Sequence, residues 1–178
     1  NRAIELSKGE YLAFVDADIE VTKDWLERGK EALEKYDYVA GDVIIDKSKL
    51  KNIAHYYEYC YGFPIKNYMH LGHFGVTANL FVRRRVFEEL GGFDKRLRSG
   101  GDVEFGNRVY MAKRFKQVYK RNVIVIHPPR DYKALIKKMK RVTEGNIQLS
   151  KLYPKRFQRP DFSIVEIENP KGKYIVKP

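Results

Sequence analysis

The alternation of helical and strand patterns in the first 46 residues limits this chain to a few fold classes. An apolar run at 11–15, bounded by Gly9 and Asp16, is typical of a strand covered on both faces. A helical segment follows, which we expect Thr22 to cap, and residues 38–45 form a second strand pattern. With a helical pattern over 2–8 that ends at Gly9, the order helix, strand, helix and strand predicts an α/β sheet with covering helices.

The rest of the chain also contains both helix and strand patterns. We predict strands at 76–82 and 118–126, and helices at 84–90, from Asp102 and from Tyr132. The last helix is amphipathic and basic, because four apolar side chains share one stripe and lysines occupy the rest; the stripe comprises Leu135, Met139, Val142 and Leu149. We therefore expect a catalytic domain over 1–152, followed by an extended basic tail over 153–178 that Pro154, Pro160 and Pro170 interrupt.

The segment from 49 to 75 is rich in aromatic residues. It begins as a helix that contains Ile53, Tyr56, Tyr57 and Tyr61, and it continues into a loop with Gly, Pro and His. We interpret this segment as facing a substrate. Its tyrosines could stack on an acceptor sugar, and they could equally belong to the core.

Composition excludes several classes of protein. The 178 residues carry a formal charge of +12 and are 43% hydrophobic, which indicates a folded basic domain rather than a disordered chain. The apolar runs are too short for a membrane span of about 20 residues. The single cysteine, Cys60, excludes a disulfide framework and a multi-cysteine zinc site. Without a signal pattern after Asn1, we expect a reducing, cytoplasmic location.

Two carboxylates follow the first strand. If strand geometry continues through Asp16 and Asp18, both side chains project to the same side at the carboxyl end of a strand, where ligands gather in open α/β sheets. A pair of this kind suits a divalent ion that also holds phosphates. The alternative is an ordinary turn.

Asp102 and His127 are further candidates. Asp102 lies at the start of a helix, where it is either a cap or a general base; the base needs a partly buried site, because a helix N-terminus lowers the pKa of a carboxylate. His127 ends a strand and is either structural or a ligand of the same ion.

The segment 130–159 is strongly basic. It contains ten Lys or Arg and two acidic residues, which account for +8 of the total charge. Such a surface suits a nucleic acid, an anionic membrane or the diphosphate of a substrate, and a solvated helix face is an equal alternative. The chain has no recognisable nucleic-acid motif, so we expect no nucleic-acid partner.

Taken in order, these motifs resemble the second half of a family 2 glycosyltransferase with the GT-A fold. The resemblance covers residues 1–150 and includes the D-x-D that ends a strand, an N-x-x-x-R-R then F-x-x-x-G-G-F-D block, an acidic helix start and a late His-Pro-Pro-Arg. These motifs begin at Asp16, Asn79, Asp102 and His127, respectively.

The resemblance implies a mixed, Rossmann-like α/β sheet and an inverting transfer from a nucleotide-diphosphate sugar to a hydroxyl acceptor with Mn²⁺ or Mg²⁺. Asp16, Asp18 and Arg130 would contact the ribose and diphosphate of the donor. Asp18 and His127 would hold the metal, and Asp102 would be the base. Contacts with the donor or acceptor sugar would come from Asp16, Asn79, Gly101 and Arg108.

The acceptor would be a glycan or a lipid- or protein-linked hydroxyl, in cell-envelope polysaccharide synthesis. The basic helix would give peripheral contact with the inner face of a membrane. The alternative hypothesis is a non-catalytic basic module that binds anionic lipid or nucleic acid through 130–159.

The sequence also departs from the family pattern. The usual Glu-Asp is Gly101-Asp102, and the Gln/Arg-x-x-Arg-Trp motif of processive synthases is absent. The family's opening strands have no counterpart before Asn1, so we expect a piece of a longer protein with weak or no activity alone.

Overall fold

The computed structural model describes residues 1–157 and, beyond them, the backbone of two strands. The helices are α1 (Arg2–Leu6), α2 (Trp25–Lys35), α3 (Ile53–Tyr61), α4 (Ile65–Asn67), α5 (Arg84–Leu90), α6 (Gly101–Met111) and α7 (Tyr132–Leu152). The strands are β1 (Tyr11–Val15), β2 (Glu20–Val21), β3 (Tyr38–Ile45), β4 (Asn79–Arg83), β5 (Gln117–His127), β6 (Val165–Asn169) and β7 (Gly172–Val176). A short 3₁₀ turn (Lys47–Lys49) precedes α3, and a π-helical turn (Tyr68–Gly72) follows α4.

Five strands form one mixed sheet in the order β1-β4-β3-β5-β2. The pair β3 and β5 is parallel, and the other three pairs are antiparallel. Strands β6 and β7 pair with each other as a separate antiparallel hairpin. The carboxyl ends of β1 and β5 carry Asp16 and His127, two of the residues predicted to be functional, as expected for an α/β sheet.

One buried side chain joins the central strands. Asn79 is fully buried at the start of β4, and its amide donates to the carbonyls of Asp42 in β3 and Val123 in β5, at 2.8 and 2.9 Å. Its carbonyl oxygen accepts from the indole of Trp25 in α2 at 2.9 Å. The β3–β5 register shifts at Gly41, where a Cβ atom would come within 2.3 Å of the Asn79 amide. Asn79 therefore satisfies backbone groups that this irregularity leaves unpaired.

The two arginines at the junction of β4 and α5 bind the C-terminal ends of helices. Arg83 donates to the carbonyls of Leu33, Glu34 and Tyr36 at the end of α2. Arg84 donates to the carbonyls of Ile4 and Gly9 around the end of α1. Cations at these positions satisfy free carbonyls and oppose the negative end of the helix dipole.

Two apolar clusters complete the core. The first joins α2 to the central strands through Trp25, Leu33 and Phe81. The second lies under α5 and α6, where the rings of Phe87 and Phe105 stack at 4.5 Å.

The observed elements confirm most of the predicted ones and correct three. Helix α2 begins at Trp25 after Asp24; Thr22 does not cap it but donates its hydroxyl to the Asp24 carboxylate. Strand β4 begins at Asn79, because residues 76–78 form a turn. The prediction that β1 is covered on both faces is wrong for the described part of the chain, where β1 is an edge strand and Val15 is exposed.

Replacement of the central amide tests this account of the sheet. Asn79→Ala leaves the Trp25 indole and two carbonyls without partners, so we expect the free energy of unfolding to fall by about 3 kcal/mol. Denaturant unfolding measures it. Asn122→Ala removes an exposed amide from the neighbouring strand β5 and is the control, with an expected change within about 0.5 kcal/mol. A loss no larger than that of the control would contradict the role of Asn79.

Candidate active site

A cavity of about 630 Å³ lies at the carboxyl ends of the strands. Asp16 contributes from the turn after β1, and Gly101 and Asp102 contribute from the start of α6. Four cations line the same cavity and are called the cationic wall, namely Arg98, Arg130, Lys138 and Arg141. The cavity therefore places carboxylates and cations around one space.

Asp102 is held at the first turn of α6 by backbone geometry. The preceding Gly100 has a φ of 80°, and a Cβ atom there would come within 2.7 Å of Leu149. The Asp102 carboxylate accepts from the backbone N–H of Val103 at 2.9 Å. Burial raises the pKa of Asp102 above its ordinary value, and the charge of Asp16 acts in the same direction, while the N–H groups and Arg141 oppose it. The partly buried site that a base requires is thus present.

Aromatic side chains line the cavity beside Asp102. The rings of Tyr68 and Phe74 stack with centroids 4.9 Å apart, and Phe63 and Phe93 also contribute. Burial raises the pKa of Tyr68, and the negative charge of Asp102 raises it further. Tyr68 belongs to the π-helical turn, an element that is frequent at functional sites. In the segment 49–75, which was predicted to face a substrate, the part that follows α3 lines the cavity.

The two carboxylates of the D-x-D separate in the structure. Strand β1 ends at Val15, and a turn follows, closed by the bond from the Ile19 N–H to the Asp16 carbonyl. Strand geometry therefore does not continue through the pair. Asp16 lines the cavity, while Asp18 lies with its carboxylate 3.9 Å from the imidazole Nε2 of His127.

The donor set at Asp18 and His127 fits a divalent metal in part. His127 Nδ1 lies 2.5 Å from the Pro128 carbonyl, so it carries the proton and leaves a lone pair on Nε2, towards Asp18. Burial, followed by the charge of Arg130, lowers the pKa of His127 and keeps the imidazole neutral. One carboxylate and one neutral imidazole suit Mn²⁺, with phosphate oxygens of a substrate as further ligands. The described residues contain no group of three or more potential metal ligands.

Arg130 also binds the Nε2 atom of His127. Its Nη2 hydrogen-bonds to His127 Nε2, so a metal bound by His127 requires Arg130 to release that bond. The other guanidinium nitrogen and the backbone N–H of Arg130 bind the carboxylate of Glu58 in α3, at 2.5 and 2.7 Å. Arg130 therefore connects the end of β5 with α3.

Glu58 is a functional neighbour that the sequence analysis missed. It is fully buried, and Lys138 of α7 donates to it at 3.2 Å in addition to Arg130. Burial raises the pKa of Glu58, but the bonds from Arg130 outweigh this effect and hold the pKa below its ordinary value. Desolvation lowers the pKa of Lys138. The only sequence signal for Glu58 is an acidic residue on the face of α3 that also carries Ala54.

The remaining predicted site residues divide between the cavity and the core. Gly101 lines the cavity. Asn79 is engaged in the sheet as described, and Arg108 binds Glu104 and the carbonyls of Leu90 and Gly92 at the end of α5. The structure thus brings together Asp16, Gly101, Asp102 and Arg130, and it gives Asn79 and Arg108 bonds within the fold.

Comparison with known proteins identifies the family. The sequence model of Glycosyl transferase family 2 matches residues 1–91, just over half of the chain. The chain belongs to glycosyl transferase family 2. This match covers β1, the D-x-D and the N-x-x-x-R-R block, and it confirms the resemblance drawn from those motifs.

Two further proteins are similar to this chain. Glycosyltransferase AglE of Haloferax volcanii is 35% identical over 151 residues, which are 84% of this chain and 49% of the relative. The chain thus spans about half the length of this curated relative. A solved structure, the mannosyltransferase PcManGT from Pyrobaculum calidifontis in complex with GDP-Man and Mn²⁺, aligns with a TM-score of 0.56 and 14% identity over 84% of this chain and 42% of that one. This likeness shows the fold and confirms the predicted mixed α/β GT-A class.

The raised pKa of Asp102 predicts a stability effect of defined sign. The folded state favours the protonated carboxyl, so the stabilising contribution of that form is complete below the unfolded pKa and is lost as the pH rises through the folded pKa. We expect Asp102→Asn to unfold at higher urea concentration than wild type at about pH 7, and the difference to vanish at about pH 3.

A second aspartate provides the control. The hydroxyl of Ser48 and the ammonium of Lys49 lower the pKa of Asp46, so Asp46→Asn is expected to destabilise the chain at neutral pH. A neutral-pH loss of stability in Asp102→Asn, parallel to that of Asp46→Asn, would contradict the assigned pKa direction.

Proposed function

We propose that the cavity is the catalytic site of an inverting glycosyltransferase that moves a sugar from a nucleotide-diphosphate donor to a hydroxyl acceptor. The observation that carries the proposal is the placement of Asp102, a carboxylate with a raised pKa, in one cavity with the four side chains of the cationic wall. Membership of family 2 supports sugar transfer in general.

The cationic wall suits the diphosphate of the donor. Lys138 and Arg141 of α7 and Arg130 after β5 line the same space, and guanidinium and ammonium groups bind phosphates through charge-assisted hydrogen bonds. The structural neighbour PcManGT was solved with GDP-Man, which supports a donor of this class. Asp16 lines the same cavity and is available for a ribose or sugar hydroxyl.

Asp102 acts as the general base in this proposal. Its raised pKa makes it a better proton acceptor than an ordinary carboxylate at a helix N-terminus. It takes the proton of the acceptor hydroxyl as that oxygen attacks the anomeric carbon, and the bond to the diphosphate breaks on the opposite face. Attack from the face opposite the departing diphosphate inverts the anomeric centre. The aromatic rings of Tyr68 and Phe74 exclude water beside the acceptor.

A divalent metal, Mn²⁺ or Mg²⁺, belongs to the proposal, and Asp18 and His127 would hold it. Bound there, it would act as a Lewis acid that neutralises charge on the departing diphosphate. The Pro128 carbonyl keeps His127 in the tautomer that this role needs. The presence of Mn²⁺ in the PcManGT complex supports this part of the proposal.

The alternative, a non-catalytic basic module, fits the structure less well. Several cations of 130–159 turn inwards: Arg130 and Lys138 bind Glu58, and Arg156 binds Glu104. The rest of α7 still presents Lys133, Lys137 and Lys140 to solvent. We therefore keep peripheral contact with an anionic membrane through α7 as part of the enzyme's function. Among the described helices, none is long and apolar enough to cross a bilayer.

The base assignment is tested by Asp102→Asn in the full-length protein. Asparagine keeps the shape and the bond from Val103 but accepts no proton, so we expect kcat to fall by about 10²- to 10⁴-fold. Donor affinity, measured by calorimetry, should stay within about twofold because the base acts on the acceptor. Turnover close to wild type in this variant would rule out Asp102 as the base.

The metal assignment is tested by binding of inorganic pyrophosphate. We expect affinity to rise on addition of Mn²⁺, to fall again with a chelator, and to respond about tenfold less to Mn²⁺ in Asp18→Asn. Calorimetry on the chain measures all three effects. Glu20→Gln, at an exposed carboxylate two residues away, is the control. An unchanged Mn²⁺ response in Asp18→Asn would show that Asp18 is not a ligand.

A further inference from the structure

Helix α3 presents its apolar side chains to solvent. Ile53, Tyr56, Tyr57 and Tyr61 recur at i, i+3, i+4 and i+8, the spacing of one helix face. Their exposed fractions are 87%, 56%, 48% and 69%. The buried face of the same helix carries Ala54 and the charged Glu58. This arrangement is the reverse of that in an ordinary surface helix.

The orientation of α3 is determined by Glu58. Its carboxylate receives three bonds, from the backbone and guanidinium of Arg130 and from Lys138. Turning the apolar stripe inwards would expose this carboxylate and leave both cations of the cavity without their partner, a costly change for a buried ion cluster. The outward stripe is thus a consequence of how the cavity is built.

Basic side chains also occur next to the stripe in the sequence. Lys47, Lys49 and Lys51 precede α3, and the ammonium of Lys47 lies 5.1 Å from the centroid of the Tyr59 ring. Helix α7 adjoins α3, because Lys138 bonds to Glu58. Helix α7 also exposes apolar and basic side chains of its own, namely Tyr132, Ile136, Met139, Lys133, Lys137 and Lys140.

The chemistry of this face favours one partner. A second copy of the chain would bring two strongly basic surfaces together, and the formal charge of each is +12. A glycan would stack on the tyrosine rings, but it would make no favourable contact with the aliphatic side chains of Ile53, Ile136 and Met139. Tyrosines at the level of the headgroups, aliphatic side chains below them and lysines against anionic lipid match a bilayer surface.

We propose that the outward face of α3, together with the adjoining exposed face of α7, docks on the headgroup region of an anionic bilayer. The inference extends the membrane contact proposed for α7, and it does not depend on sugar transfer. Gly62 and Phe63, which follow α3, line the cavity, so docking holds the cavity beside the membrane. A lipid-linked acceptor would then reach Asp102 from the surface.

Cosedimentation with vesicles tests the inference. Wild type is expected to bind vesicles made of phosphatidylcholine and phosphatidylglycerol in equal parts, and to bind pure phosphatidylcholine at least about tenfold more weakly. Tyr56→Ser combined with Tyr57→Ser should reduce binding to the anionic vesicles by about tenfold. The matched control combines Leu6→Ser with Leu26→Ser, at exposed positions on α1 and α2, and should bind within about twofold of wild type.

Each other outcome contradicts a defined part of the inference. Wild-type binding by the tyrosine variant, with loss of binding in Lys133→Gln combined with Lys137→Gln, would overturn the role of α3 and leave the α7 contact intact. Absence of vesicle binding by wild type would overturn both contacts, whereas the transfer reaction is judged separately by Asp102→Asn. Self-association lost in the tyrosine variant, measured by analytical ultracentrifugation, would assign the face to a second copy.

Discussion

The ion cluster around Glu58 is the interaction on which the candidate site depends. A fully buried carboxylate persists only with close partners, and here Arg130 and Lys138 supply them from two different elements. The cluster ties α3, the end of β5 and α7 together. It thereby determines two features at once: the cations of the cavity wall, and the outward direction of the apolar stripe on α3.

A second buried carboxylate stabilises the other side of the cavity. Glu104 of α6 binds Arg108, which reaches the end of α5, and Arg156, which follows α7. Helix α6, which carries Asp102 in its first turn, is thus anchored two residues further on by paired charges. Within residues 1–157, no cation is in bonding contact with Asp102, and burial raises its pKa instead. The difference separates carboxylates that stabilise the fold from the one available for proton transfer.

Local sequence patterns predicted most elements because those elements have unambiguous boundaries. Strand β3 and helix α5 begin and end at the predicted residues, since an apolar run or a glycine marks each boundary. The coverage of β1 could not be predicted, because it depends on which elements pack on each of its faces, and Ala13 and Val15 on one face are exposed. The outward orientation of the apolar face of α3 could not be predicted either. Its apolar spacing is that of a buried face, and the partners of Glu58 lie 72 and 80 residues further along the chain.

The prediction of site residues from the sequence is limited in the same way. Asp16, Asp102 and Arg130 belong to local family motifs that adjoin a helix or strand, and all three line the cavity. Asn79 and Arg108 belong to equally clear motifs, but their side chains satisfy backbone groups of distant elements. Only tertiary contacts distinguish a motif side chain that lines the cavity from one that bonds to the backbone of the fold. Lys138 and Tyr68 occur in no motif, and their positions in the cavity follow from the packing of α7 and of the π-helical turn.

The central claim is that the cavity between Asp102 and the cationic wall binds the diphosphate of a donor. The most direct test is a crystal structure of the chain with Mn²⁺ and pyrophosphate, in which anomalous scattering locates the metal. The account predicts Mn²⁺ in contact with Asp18 and His127, and pyrophosphate within hydrogen-bond distance of Arg130, Lys138 or Arg141. Pyrophosphate bound outside this cavity, or Mn²⁺ bound away from Asp18 and His127, would contradict it.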